Sequence, residues 1–119
     1  MSDTIFALAS APGKAGVSIF RISGSGAQDI AIKLCGNVPI CRGLRVLRYN
    51  ETVLDKVLVL SFKQGASFTG EDVIEFHCHG SPAVVATISD SLSAVGARLA
   101  DPGEFTRRAL QNERLDLCQ

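Results

Sequence analysis

A positively charged residue lies in the middle of a segment that otherwise has a strand pattern. Arg21 belongs to VSIFRIS (Val17–Ser23), whose alternation places Val17, Ile19 and Arg21 on one face. Such a guanidinium either pairs with a neighbour in the sheet or reaches solvent at an edge. It can also hold an anion, such as the carboxylate of a ligand. The residue type alone leaves these alternatives open.

A carboxylate has the same unusual setting in the segment VIEFHC (Val73–Cys78). Glu75 shares a strand face with Val73 and His77, and a partly buried carboxylate needs a partner. One interpretation is an ion pair within the domain, with Arg21 as a candidate partner. The other is a carboxylate that accepts two parallel N–H bonds from a flat, guanidine-like ring. Pterins and guanines present such an edge.

The run His77-Cys78-His79 raises the possibility of a metal ion or a cysteine nucleophile. On a strand the two histidines share a face and Cys78 points to the other, so neither histidine is placed to act as its base. The spacing of Cys35 and Cys41 fits no strong zinc pattern. We therefore expect structural histidines, no metal site and no catalytic residue in this chain.

Glycine-rich turns do not predict a nucleotide site. The sequence Gly24-Ser25-Gly26 lacks the third glycine of GxGxxG and is more typical of a tight turn. Nothing in the chain resembles GxxxxGK[ST], so we expect no NTPase site within it.

The elements that must position these residues follow from periodicity and capping signals. The predicted fold class is α+β, a mixed sheet with about three packed helices. Strands are predicted at Thr4–Ala9, Val17–Ser23, Leu44–Asn50, Val53–Phe62, Val73–Cys78 and Ala97–Ala100, and helices over Ala27–Cys35, from Pro82 to about Val95, and from Pro102 to about Gln111.

Two helix starts carry recognisable signals. Ser81 precedes Pro82, a capping residue followed by proline at the first helical position. Asp101 is predicted to cap the last helix, with Glu104 reaching back to its N–H. Asn112 is predicted to end that helix in a left-handed conformation.

Composition limits the function classes. The chain has 119 residues with 12 basic and 12 acidic side chains, so a neutral single domain is expected without strong binding to a phosphate backbone. Its only local basic cluster is Arg42, Arg45 and Arg48, which is interpreted as a solvated hairpin edge. No segment approaches about 20 apolar residues. The four cysteines form no CxxC pair, and no basic leader precedes the first apolar run, which favours a cytoplasmic protein.

Three stretches together resemble the N-terminal domain of one family, the tRNA-modification GTPase MnmE, also called TrmE. They are DTIFALASAPGKAGVSIFRISG (3–24), SFTGEDVIEFHCHGSP (67–82) and DPGEFTRRALQNERLDL (101–117), in order along the chain. Asp116 also resembles the cap of a further helix. The resemblance therefore implies a folate-binding and dimerisation domain over residues 1–114 and the start of a helical domain at 115–119, with the GTPase domain absent from this chain.

The resemblance implies a fold similar to the folate-binding domain of aminomethyltransferases. It implies homodimerisation and binding of a one-carbon tetrahydrofolate such as 5-formyltetrahydrofolate. In complete members, a helical domain carries a GTPase domain that uses GTP, Mg²⁺ and K⁺. With the flavoprotein MnmG (GidA), such proteins add an aminomethyl-type group to C5 of the wobble uridine (position 34) of certain tRNAs.

The resemblance also implies three folate-binding residues. Arg21 matches the arginine of the RISG motif, and Glu75 matches a carboxylate on the pterin side of the ligand. Arg114 stands where the family usually has lysine before the LDL motif. A planar guanidinium group therefore replaces a compact ammonium group. Phe76 and Phe105 are either core residues or walls for the aminobenzoyl bridge.

Two other functions remain open at this point. A free-standing folate-dependent one-carbon transferase would need a general acid or base, and only His77 offers one beside the predicted site. A purely structural dimerisation domain would use Arg21 and Glu75 as an internal ion pair.

Overall fold

A computed structural model describes residues 3–9, 16–63 and 69–112, and the structural statements below concern these residues. The elements in chain order are β1 (Ile5–Leu8), β2 (Val17–Ser23), α1 (Ala27–Cys35), β3 (Arg42–Tyr49), β4 (Thr52–Phe62), β5 (Val73–His79), α2 (Pro82–Ala94), β6 (Arg98–Leu99) and α3 (Glu104–Gln111).

The six strands of the described ranges form one sheet in the order β3-β4-β5-β2-β1-β6. The short β6 pairs with β1 in parallel, and every other neighbouring pair is antiparallel. The predicted α+β fold, a mixed sheet with three helices, is therefore confirmed. β2 and α1 have the predicted bounds, whereas the other strands differ from the prediction by one or two residues at one or both ends.

The hydrophobic core lies on one face of this sheet. Phe20 and Ile22 of β2 and Phe76 of β5 are at most 1% exposed, and they pack with the apolar stripes of α1 and α2. Side chains alternate along a strand, so the residues between them point to the opposite face. We call this second face the open face. Its end at Ser23 is buried and is linked through Glu71 to Arg108 of α3, whereas Arg21 and Glu75 on the same face are partly exposed.

Helix α2 begins as its sequence predicts. The Ser81 side-chain oxygen accepts a hydrogen bond from the backbone N–H of Val84 at 3.2 Å, and Pro82 is the first helical residue. This cap satisfies one of the amide donors that every helix start leaves without a partner.

The start and end of α3 differ from the prediction. The helix begins at Glu104 after Gly103, which has a left-handed conformation with φ of 75°, and the Asp101 side chain does not cap it. The predicted return contact is present, because the backbone N–H of Asp101 donates to Glu104 Oε1 at 2.9 Å. Asn112 ends the helix with φ of −99°, so the expected left-handed stop was wrong. Its amide instead donates to the backbone oxygen of Arg108.

The turn after β2 packs against Thr4, the residue before β1. An added Cβ at Gly24 would lie 2.9 Å from both Cα and Oγ1 of Thr4, and the backbone of Gly24 has φ of 141°. The Gly26 N–H donates to Thr4 Oγ1 at 3.1 Å. The turn is therefore occupied by an internal contact, as expected for a tight turn rather than a phosphate loop.

The basic cluster lies where the sequence indicated. Arg42, Arg45 and Arg48 belong to β3, an edge strand of the described sheet, and β3 joins β4 through a turn at Asn50 and Glu51. Charged side chains on an exposed edge oppose pairing with other chains. No helix of the described ranges is both long and apolar enough to cross a membrane.

An ionic cluster fixes α3 to the rest of the domain. Arg108 is nearly buried and donates to the carboxylates of Asp3 and Glu71, and it lies within 3.4 Å of Glu104. Arg98 of β6 also bonds Glu104, at 2.6 Å. Since buried charges are tolerated only when paired, these contacts define the position of the helix.

Candidate functional site

Arg21 and Glu75 meet on the open face of the sheet. The β2–β5 register places them directly opposite each other, and Arg21 Nε donates to Glu75 Oε2 at 2.8 Å. The side chain of Glu75 is 12% exposed and that of Arg21 is 33% exposed. The structure thus brings together two of the three predicted site residues, in the ion pair that the sequence suggested.

His77 is a third member of this group, and its role was missed in the sequence. Its Nε2 lies 2.9 Å from Glu75 Oε1, so each carboxylate oxygen has one partner. An ionised carboxylate can only accept, which makes Nε2 the donor in this contact. The available signal was the strand alternation, which places Glu75 and His77 two residues apart on one face.

A hollow lies beside His77 on the side of β4. Its volume is about 330 Å³, and we call it the His77 hollow. Its walls include three apolar residues from three strands and three basic or titratable side chains. These are Val17, Leu44 and Leu58, with Lys56, His77 and His79.

A second hollow lies on the other side of the ion pair. It has a volume of about 360 Å³ and is lined by Ala7 of β1 and by residues 100–106 at the start of α3, and we call it the α3 hollow. Ala7 is the direct neighbour of Arg21 in the β1–β2 register. The Arg21–Glu75–His77 group therefore lies between two hollows.

The two candidate aromatic walls have different positions. Phe76 is fully buried in the core on the helix-covered face, so it does not line the open face. Phe105 lines the α3 hollow. Phe76 is therefore a core residue, whereas the contact of Phe105 with a ligand stays a prediction.

The remaining candidates for chemistry have internal partners. Cys78 is buried and donates to the Ser18 backbone oxygen, and burial raises the pKa of its thiol to about 11, with the nearby Asp55 adding to the effect. A protonated thiol is a poor nucleophile. His79 Nδ1 lies 2.7 Å from Asp55 Oδ1. Within the described ranges, no group of three or more histidine, cysteine or acidic side chains is arranged to hold a metal ion.

The third predicted ligand residue, Arg114, lies outside the described residues, as does the proposed boundary at 115–119. Arg107 and Arg108 are the last described basic residues before it. Arg108 is committed to the ionic cluster of α3.

The sequence as a whole matches a known family. The model of the GTP-binding protein TrmE N-terminus matches residues 4–114, which include Arg21, Glu75 and His77. The chain belongs to this TrmE N-terminal family.

Relatives of this TrmE N-terminal domain agree with the match. Proteins named tRNA modification GTPase MnmE from Caulobacter vibrioides, Dinoroseobacter shibae and Roseobacter denitrificans are 52%, 56% and 57% identical to the chain. The matches cover 100%, 98% and 98% of the chain. The chain spans only 27–28% of the length of these relatives.

Proposed function

We propose that the chain is a tetrahydrofolate-binding and homodimerisation module of a tRNA-modifying GTPase. The observation that supports this most directly is the Glu75 carboxylate, held by Arg21 and His77 on an open sheet face between two hollows. Each carboxylate oxygen has two lone pairs, so each keeps acceptor capacity for a ligand.

A folate fits the chemistry of this arrangement. Its pterin ring presents a flat edge of N–H donors, and Glu75 provides two parallel acceptors of negative charge. Its aminobenzoyl bridge is apolar, and the hollows offer Phe105 on one side and Leu44 and Leu58 on the other. The anionic glutamate tail requires a cation. Arg114, on the segment after α3, is the proposed third binding residue.

The open face also suits contact with a second copy of the chain. Val17, Leu44 and Phe62 are 48%, 60% and 36% exposed, and the strand registers place them on the same face as Glu75. Apolar side chains grouped on one face favour association. A dimer formed there would cover the ligand.

The activity of the longer relatives extends the proposal. These relatives are named tRNA modification GTPases. We propose that this module acts with a GTPase domain that binds GTP, Mg²⁺ and K⁺. We propose that, with the flavoprotein MnmG, the assembly modifies C5 of uridine 34 in certain tRNAs in the cytoplasm. The module itself would bind the one-carbon donor and pair the subunits, without a catalytic residue of its own.

Isothermal titration of 5-formyltetrahydrofolate into the 119-residue chain tests the central claim, with the mass in solution measured in parallel. Saturable binding of one ligand per protomer in a dimer supports the proposal. A folded chain that forms dimers but releases no heat, and shows no binding by equilibrium dialysis, would favour a structural dimerisation domain with Arg21–Glu75 as an internal ion pair.

A further inference from the structure

His77 combines two properties that the proposed ligand site requires. Its Nε2 donates to Glu75 Oε1 at 2.9 Å, and its side chain, 23% exposed, lines the His77 hollow. In a neutral imidazole with the proton on Nε2, the other nitrogen, Nδ1, is an acceptor. The ring therefore orients one acceptor group and is itself a second acceptor.

We propose that His77 is a positioning residue for Glu75 and a second hydrogen-bond acceptor for a donor-rich ring. This inference rests on the proposed folate site. It assigns a role to His77, whereas the resemblance to the family implied ligand contacts only for Arg21, Glu75 and Arg114.

The side chain at position 77 determines how firmly Glu75 is oriented. An N–H donor at this position holds Oε1, as Arg21 holds Oε2. An apolar side chain would leave Oε1 without this donor and would remove the second acceptor from the hollow. A ligand edge of N–H donors would then meet one oriented acceptor fewer, so its affinity would fall.

The surroundings of His77 identify the charges that act on it. Arg21 on β2 and Glu75 on β5 belong to the same hydrogen-bonded group, while the residue directly across on β4 is the apolar Leu58. Lys56 lines the same hollow. His79 lines it as well, but its Nδ1 is engaged by Asp55 at 2.7 Å. Of the two histidines in this hollow, His77 is the one that contacts Glu75.

5-Formyltetrahydrofolate is titrated into the wild-type chain, His77→Gln, His77→Leu and Glu51→Gln at one pH and at physiological salt. Glutamine keeps an N–H donor and an acceptor, whereas leucine has neither. Glu51→Gln is the control, because Glu51 is exposed on the turn between β3 and β4 and lines neither hollow. Circular dichroism verifies that every variant is folded.

We expect His77→Leu to bind about fivefold more weakly than the wild type, the equivalent of one hydrogen bond of about 1 kcal/mol. His77→Gln and Glu51→Gln should bind like the wild type.

Two outcomes overturn the inference, and they are distinguishable. If the folded wild-type chain binds no folate, the proposed function fails and this inference fails with it. If folate binds but His77→Leu binds normally, or His77→Gln binds as weakly as His77→Leu, the folate site stands and the role of His77 is refuted.

Discussion

Arg108 and Glu71 form an ion pair of 3.1 Å between Nη1 and Oε1, which links α3 to the segment before β5. The same Oε1 accepts a hydrogen bond from Ser23 Oγ at 3.0 Å. Ser23 ends β2, two residues after Arg21. The last described helix is thus attached, through Glu71, to the strand that carries the proposed ligand site.

Replacement of Arg108 by methionine should destabilise the domain by about 3 kcal/mol, because it removes the cation that pairs with the largely buried Glu71 and that also faces Glu104. Urea denaturation measures the effect. Arg107→Met is the matched control, since Arg107 is the adjacent arginine and is 56% exposed. Equal stability of the two variants would show that the ionic cluster does not hold α3.

Glu104 gives a prediction for acid stability. A hydrogen bond from Arg98 lowers the pKa of Glu104 from its ordinary value of 4.5 to about 2, against the opposing effect of burial. Between these values the unfolded chain binds more protons than the folded chain, so stability rises with pH there. The contribution of Glu104 is therefore complete above about pH 4.5 and is lost as the pH falls to about 2.

Melting temperatures of the wild type and Glu104→Gln from pH 2 to 7 measure this contribution. The variant should be less stable at neutral pH, by about 1–3 kcal/mol, and should lose less stability on acidification. Glu51→Gln, on the exposed β3–β4 turn, should keep the wild-type slope. A wild-type slope in Glu104→Gln would assign the acid sensitivity to other carboxylates, such as Asp3.

Local signals in the sequence were sufficient for much of the fold. The alternation of VSIFRIS and the apolar stripe of α1 gave the bounds of both elements, because strand and helix periods differ clearly. The start of α3 was predicted two residues early, since Asp-Pro resembles a cap while the left-handed Gly103 delays the helix. The start of α3 is therefore determined by the turn at Gly103 and not by the local capping signal of Asp101 and Pro102.

Strand periodicity predicted only part of the candidate site. Arg21 and Glu75 were recognisable as charged residues at positions expected to be apolar, but their exact opposition depends on the β2–β5 register. The His77–Glu75 contact depends on side-chain rotamers, and the ionic cluster joins residues as distant as Asp3 and Arg108. Neither rotamers nor such long-range contacts follow from periodicity.

Arg21→Ala should weaken binding of 5-formyltetrahydrofolate about tenfold, because Glu75 loses the charged donor that fixes Oε2. Calorimetric titration measures the affinity, and light scattering measures the mass. Arg42→Ala, an exposed arginine at the start of β3, should bind normally. The dimer should persist in both variants. Conversion of Arg21→Ala to a monomer would mean that Arg21 serves subunit contact rather than the ligand.

Glu75→Gln tests the carboxylate itself. The variant keeps the size of the side chain but loses its charge and one acceptor, so affinity for 5-formyltetrahydrofolate should fall at least tenfold. Glu51→Gln makes the same chemical change on an exposed turn and should leave the affinity unchanged. Melting curves recorded with both variants separate binding from stability. If Glu75→Gln binds normally but melts at a lower temperature, the Arg21–Glu75 pair stabilises the sheet and does not recognise a folate.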